Sequence, residues 1–162
     1  MQRAVRVAAE AGCSPIVVVV GDQQERIDEE LRNTPAQVTL NANWQRGVGT
    51  SLRCGLGQLS DGDAVVVLAC DQPLVDAALI RMLIARSETS GKAIVACSYA
   101  ETLGIPALFD RSCFAALREL PDESGAKPLI EADLSRVARV EFEGAALDID
   151  TPADMARLHD LA

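Results

Sequence analysis

Asp71 stands directly behind an unbroken apolar run, Ala64 to Ala69, in the loop Cys70-Asp71-Gln72-Pro73. A run without alternation predicts a strand covered on both faces, and in open α/β sheets ligands bind outside the carboxyl ends of such strands. A carboxylate at that end either holds Mg²⁺ on a triphosphate or caps the turn that follows. Upstream, Asn41 to Leu52 reads NANWQRGVGTSL. Gly47 and Gly49 admit backbone conformations closed to other residues and let another group approach closely. Thr50 and Ser51 stand at the start of the next predicted helix. Their hydroxyls and first-turn N–H groups suit an anion or a base edge, or else they cap the helix. Trp44, the one tryptophan, reads either as core or lid packing or as a platform for a base.

Near the carboxyl end, Asp148 and Asp150 alternate across Ile149, so they face the same side of an extended segment. One of them would supply a second oxygen to a metal held by Asp71. The competing reading is helix capping, with Asp154 compensating the dipole of a first turn. Gly104-Ile105-Pro106 and the segment from Asp122 to Lys127 are the remaining candidates. Lys127, beside Gly125 at a predicted helix start, meets a phosphate or a carboxylate, or else it is a solvated lysine. His159 lies far from all of these in sequence and reads as surface. The chain has no Ser-His-Asp or Cys-His arrangement, and neither GxGxxG nor GxxxxGK[ST].

The elements that must position these residues follow from periodicity. Ile16 to Val20, Ala64 to Ala69 and Ala93 to Cys97 predict buried strands. Short strands are expected at Val38 to Leu40 and Ile105 to Phe109, and a strand with one wet face at Val137 to Phe142. Helical patterns fill the spaces: Met1 to Ala11, Gln24 to Arg32, Ser51 to Leu59, Val75 to Ser87, Cys113 to Leu120 and Ala126 to Ala132. A last strand at Leu147 to Ile149 and a closing helix at Pro152 to Leu161, N-capped by Thr151, complete the pattern. Strands alternating with helices predict an α/β domain: a Rossmann-like, mostly parallel sheet with helices on both faces.

The 162 residues suit a single domain spanning 1–162. Apolar residues are 49% but aromatics only 3%, so the core must be aliphatic. A net charge of −9 repels nucleic-acid backbones, which argues against a polynucleotide partner. It leaves room for a small anion held by a metal and backbone N–H groups. The five cysteines form no CxxC pair, which fits a reduced, cytoplasmic protein rather than a disulfide or zinc scaffold. Apolar runs such as Ile16 to Val20 and Ala64 to Ala69 are too short to span a bilayer, so no membrane role is expected.

Taken in order, the motifs carry a resemblance. Asn-x-x-Trp-x-x-Gly-x-Gly-Thr-Ser-Leu-x-x-Gly-Leu (Asn41 to Leu56) comes first, then Cys70-Asp71-Gln72-Pro73-Leu74-Val75. Gly104-Ile105-Pro106-Ala107-Leu108-Phe109, Ser124-Gly125-Ala126-Lys127 and Asp148-Ile149-Asp150-Thr151-Pro152 follow. Together these resemble the molybdenum cofactor cytidylyltransferases over essentially the whole chain, and Gln72 is more like the cytidylyl branch than the guanylyl branch. The resemblance implies transfer of CMP from CTP to the phosphate of molybdopterin, with release of pyrophosphate. It implies Mg²⁺ on Asp71 and Asp150, which would be the catalytic pair. It also implies a nucleotide contact by Gly47, Gly49, Thr50, Ser51 and Leu52. Gly104, Pro106 and Lys127 are then the candidates for the acceptor substrate, and a molybdoenzyme or its chaperone is the expected protein partner.

The sequence departs from that family in one place. Family members open with a strand and a glycine-rich loop, LAAGxSxRMGxxK, that cradles the triphosphate, and here Met1 begins the helix that follows it. The strand belonging to that loop lies between the strands at Ile16 and Ala64 in related folds. The expectation is therefore an N-terminally truncated relative with two unpaired strand edges, impaired in catalysis and prone to homo-oligomerise through those edges. The alternatives carried forward are another sugar- or alcohol-phosphate nucleotidyltransferase of the same fold, and a non-catalytic cofactor-binding relative.

Overall fold

The computed structural model describes residues 1–59 and 62–147. Asp148, Asp150, Asp154, His159, the rest of the expected last strand and the closing helix lie outside them. The described residues form six α-helices and six strands. The helices are α1 (Gln2–Glu10), α2 (Gln24–Leu31), α3 (Val48–Gly57), α4 (Ala77–Ser90), α5 (Phe114–Arg118) and α6 (Lys127–Ala132). The strands are β1 (Ile16–Val20), β2 (Ala36–Leu40), β3 (Ala64–Val67), β4 (Ile94–Tyr99), β5 (Thr102–Asp110) and β6 (Val137–Glu141).

The strands form two ladders. β1 and β2 pair in parallel, Ile16 opposite Ala36 through Val20 opposite Leu40. The other four run in the order β3-β5-β4-β6, with β5 antiparallel to both neighbours and β6 parallel to β4. The sheet is thus mixed rather than mostly parallel. The reason lies in the two-residue turn Ala100-Glu101, where both residues take left-handed φ values of 45° and 58°. A turn that short sends β5 straight back along β4 instead of through a crossover helix. Both strands expected to carry an unpaired edge, at Ile16 and at Ala64, are edge strands among the described residues.

Alternation along the strands shows that both faces of the larger sheet are covered. Ile94 and Ala96 of β4 join Leu56, Leu117 and Ile130 in one aliphatic cluster, beneath α3, α5 and α6. Val95 and Cys97 point the other way, to Val7, Leu79, Ile80 and Leu83 on α1 and α4. Leu79, Ile80 and Leu83 are fully buried. Burying each contributes about 1.5–3 kcal/mol relative to exposure. Val5 of α1 reaches a third cluster with Val18, Val20 and Leu31, so this helix packs on both sheets.

Local signals set the helix ends. Asp76 caps α4, accepting from the Leu79 amide at 2.8 Å, and Gly91 closes it with a left-handed φ of +62°. That cap explains why α4 begins at Ala77 and not at Val75. α3 begins at Val48, ahead of the expected Ser51, so Gly49, Thr50 and Ser51 belong to its first turn and not to the loop before it. No helix among the described residues is long and apolar enough to cross a membrane.

Candidate active site

Of the candidate site residues, Asp71 lines one cavity and Thr50 another. The first, about 420 Å³, lies past the carboxyl end of β3 and is lined by Met1, Arg3, Val7, Cys70, Asp71 and Gln72 among others. Asp71 is exposed there and makes no hydrogen bond or ion pair with the described residues. It is not a turn cap; its carboxylate is available to a cation. Arg3 of α1 donates to the Val75 carbonyl at 3.1 Å, which holds a positive group at the same cavity.

The loop carrying Asp71 is tethered by its neighbour. Gln72 is only 7% exposed. Its Nε2 donates to the carbonyls of Ala145 at 2.9 Å and Ile105 at 3.2 Å. Ile105 is free to accept because the β4–β5 register steps over Ile105 and Pro106 between Ala96–Ala107 and Cys97–Gly104. Proline lacks the N–H that the ladder would need, so a bulge forms there. The Tyr99 hydroxyl donates to the same Ile105 carbonyl at 3.2 Å. A Cβ at Gly104 would collide with that hydroxyl, and Pro106 is fully buried. Gly104 and Pro106 therefore shape the support behind the Asp71 loop and line neither cavity.

The second cavity, about 470 Å³, is lined by Leu40, Asn41, Arg46, Thr50, Arg53 and Asp122 among others. Asn41 is buried and organises it. Its Nδ2 donates to Thr50 Oγ1 at 2.7 Å and Ser51 Oγ at 3.0 Å, and its Oδ1 accepts from the Asn43 amide at 3.0 Å. The Thr50 hydroxyl in turn donates toward the carbonyls of Gly47 at 2.7 Å and Asn43 at 3.1 Å. Thr50 and Ser51 thus tie the loop to the helix.

Gly47 and Gly49 do permit a close approach, and the group that approaches is the segment 121–124. The Gly49 amide donates to the Asp122 carbonyl at 2.8 Å. A Cβ at Gly49 would overlap the Pro121 carbonyl, and one at Gly47 would overlap that of Asp122. The same contact brings Lys127 near, since Gly125 packs on Val48, but its ammonium pairs with Glu131 at 3.8 Å on the exposed face of α6. Leu52 packs against the cluster under α3. Trp44 packs over Gly21 just past the end of β1, remains 44% exposed and lines neither cavity.

Sequence reasoning missed the ionic cluster at this cavity. Arg46 Nη2 lies 2.6 Å from Asp122 Oδ2, and Arg53 bonds Asp122 Oδ1 and the Leu120 carbonyl. The hydrogen bond from Arg53 holds the Asp122 carboxyl below the usual carboxylate range, and the charge of Arg46 adds to it. Arg53 could have been noticed from its spacing, one helical turn beyond Gly49 on the same face. Its partner lies too far along the chain for any local signal. The two cavities share no lining residue, so Asp71 and Thr50 stand in separate cavities.

A doubly covered α/β sheet with a carboxylate at a strand's carboxyl end is the arrangement of a nucleotide-handling Rossmann-like domain. The family comparison agrees: residues 1–139 match the MobA-like NTP transferase domain, and the chain belongs to that family. Among curated proteins, it is 36% identical to the bifunctional protein GlmU of Geobacter sulfurreducens over 89 residues, which is 54% of this chain and 18% of GlmU. The chain thus matches about a fifth of the length of such relatives. Among solved structures, Rv0371c of Mycobacterium tuberculosis H37Rv superposes with a TM-score of 0.79 at 26% identity, covering 98% of this chain and 83% of the other. Its manganese complex gives the same TM-score at 27% identity, covering 98% and 85%. A nucleotidyl transferase from Methanothermobacter, at 21% identity, shares the fold with a TM-score of 0.82 over 99% of this chain and 78% of that one.

Proposed function

We propose that this chain is a Mg²⁺-dependent nucleotidyltransferase that moves CMP from CTP onto the phosphate of molybdopterin and releases pyrophosphate. An oxygen of the acceptor phosphate would attack the α-phosphorus in line, and the bond to the β,γ-pyrophosphate would break. Such a transfer needs positioning and charge neutralisation rather than a protein nucleophile. The observation that carries the reading is the unpartnered carboxylate of Asp71 in the cavity past β3, with Arg3 at the same wall.

The donor set fits the metal in a limited sense. The described residues contain no group of three or more His, Cys, Asp or Glu placed to hold a metal. Mg²⁺ commonly keeps several waters and takes only one or two carboxylates plus substrate phosphates, so Asp71 suits it. Asp150 is the proposed second carboxylate. When bound, the metal would neutralise charge on the phosphates. The manganese complex of the mycobacterial relative is consistent with a divalent cation in this family. In this reading the 47–52 segment meets the base and ribose. Lys127, with the Gly104–Pro106 bulge behind the site, serves the acceptor.

Calorimetric titration with CTP and then GTP, each with Mg²⁺, tests the reading. Selective CTP binding that Asp71→Ala abolishes, in a protein that still folds, is the expected result. Unchanged nucleotide affinity in that variant would remove Asp71 from the metal. The GlmU match favours a second reading, a sugar- or alcohol-phosphate nucleotidyltransferase. Pyrophosphate release that requires a sugar phosphate in place of molybdopterin would select it. Binding of Mg²⁺–CTP without turnover on either acceptor would make the chain a cofactor-binding relative.

A further inference from the structure

We propose that Gln72 is a positioning residue, a clamp that fixes the Asp71 carboxylate by tying its loop to the β5 bulge and to the segment leading toward Asp150. Between Leu68 and Asp76 the chain has neither helix nor strand to hold Asp71 in place. Inside that loop the Val75 amide donates to the Gln72 carbonyl at 3.3 Å, a long turn bond. The firm attachments are side chains: Arg3 at the Val75 end, and Gln72 at the residue next to Asp71.

The Gln72 carboxamide joins three distant parts of the chain. Nε2 bridges Ile105 in β5 and Ala145 in the 3₁₀ turn Glu143–Ala146, 2.9 Å from the latter carbonyl. Ala145 is itself buried at 1% exposure and anchors this otherwise surface turn in the core. It stands just upstream of Asp150 in the sequence. One side chain therefore links the segments of both proposed metal carboxylates. Gln72 Oε1 is buried without a donor among the described residues. A buried, half-satisfied carboxamide is a poor device for stability alone. Retaining it is explained when its geometry serves the adjacent carboxylate. The positioning role rests on the nucleotidyltransferase reading, because it needs Asp71 at the metal; the clamp does not.

Gln72→Met keeps the shape and removes both donated hydrogen bonds. Tyr99→Phe is the control, since it removes a donor from the same Ile105 carbonyl without touching the Asp71 loop. Amide hydrogen exchange and Mn²⁺–CTP titration are measured on wild type and both variants. In Gln72→Met, exchange at the hydrogen-bonded Val75 amide of the loop and at 143–147 rises together by about tenfold, while Tyr99→Phe leaves the Val75 amide at the wild-type rate. Mn²⁺–CTP affinity falls about tenfold in Gln72→Met and is unchanged in the control. Should Gln72→Met fail to fold, Gln72→Asn, a methylene too short to span both carbonyls, gives the same readout. Exchange that stays at the wild-type rate in either segment overturns the clamp. Wild-type affinity for Mn²⁺–CTP in a loosened loop overturns the positioning role. If wild type binds no Mn²⁺–CTP although the exchange rises as expected, the nucleotidyltransferase reading and the positioning role fall and the clamp alone stands.

Discussion

Gly49 and Gly57 lie in the same helix and separate two explanations for a glycine-rich segment. At Gly49 an added Cβ would overlap the Pro121 carbonyl and come within 2.9 Å of the Ser124 carbonyl and 3.0 Å of that of Asp122. All three are backbone atoms, so no side chain can rotate away. Gly49→Ala must push segment 121–124 outward, an overpacking cost of about 1–3 kcal/mol. It also loses the Gly49 amide bond to Asp122, worth about 1 kcal/mol. Better helix propensity returns about 1 kcal/mol. The net is a loss of roughly 1–3 kcal/mol. At Gly57 an added Cβ meets nothing within 4 Å, so Gly57→Ala gains about 0.4–1 kcal/mol. Urea unfolding followed by far-UV circular dichroism should set the two about 1.4–4 kcal/mol apart, with melting temperatures roughly 3–16 °C apart. Coincident midpoints, or a Gly49→Ala protein as stable as wild type, would refute the claim that segment 121–124 dictates glycine here. The residue would then have to be explained by the ligand alone.

Asn41→Ala removes the two donated bonds to Thr50 and Ser51 and the acceptor for the Asn43 amide. A loss of about 1–3 kcal/mol in urea unfolding is expected, with weakened CTP binding if the 47–52 segment meets the base. Asp122→Asn tests the ionic cluster through pH. Because Arg53 and then Arg46 depress the folded-state pKa of Asp122, its stabilising contribution is complete above the unfolded value of about 3.9 and fades as pH falls through the folded one. The stability gap between wild type and Asp122→Asn should be widest near neutrality and close in acid. A gap that persists unchanged at pH 2–3 would assign it to something other than the carboxylate's charge.

The layered fold was legible because its signals are local. Ile16 to Val20 forms β1 over the expected residues, and the buried run at Ala93 to Cys97 seeds β4. The direction of β5 was not legible, since a turn as short as Ala100-Glu101 gives no warning in residues that seldom adopt positive φ. The start of α3 was misplaced for a related reason. Gly47 and Gly49 look like loop residues, yet Gly49 lies in the helix, and it is glycine because segment 121–124 leaves no space for a side chain. The apolar run before Asp71 placed it just past a strand, but that strand, β3, is a half-exposed edge of the sheet rather than one covered on both faces. Gln72 was legible only as part of a motif, because its partners at Ile105 and Ala145 lie more than thirty residues away along the chain, a separation of 33 in the nearer case.

The two cavities also differ in what holds them, and that bears on how a nucleotide would use both. Asn41 and the 47–52 segment follow β2 of the smaller sheet, while Asp71 follows β3 of the larger one. No ladder joins the two sheets among the described residues. The helices do so instead. On one side, α1 places Val5 in the cluster of β1 and Val7 and Ala8 in that of the larger sheet. On the other, α3 sets Leu56 against the larger sheet while its Gly55 lies over Val19 of β1. Side-chain packing tolerates small relative shifts that a row of backbone hydrogen bonds would resist. Each cavity is thus fixed internally, by the Gln72 clamp in one and the Asn41–Thr50 and Arg46–Asp122–Arg53 networks in the other. Between them run aliphatic contacts and a few polar ties, among them Arg3 to the Val75 carbonyl and Gly49 and Arg53 to segment 120–122. A ligand that touched both, as a triphosphate with its base in one cavity and its phosphates at the other would, supplies the bridge that the ladders do not.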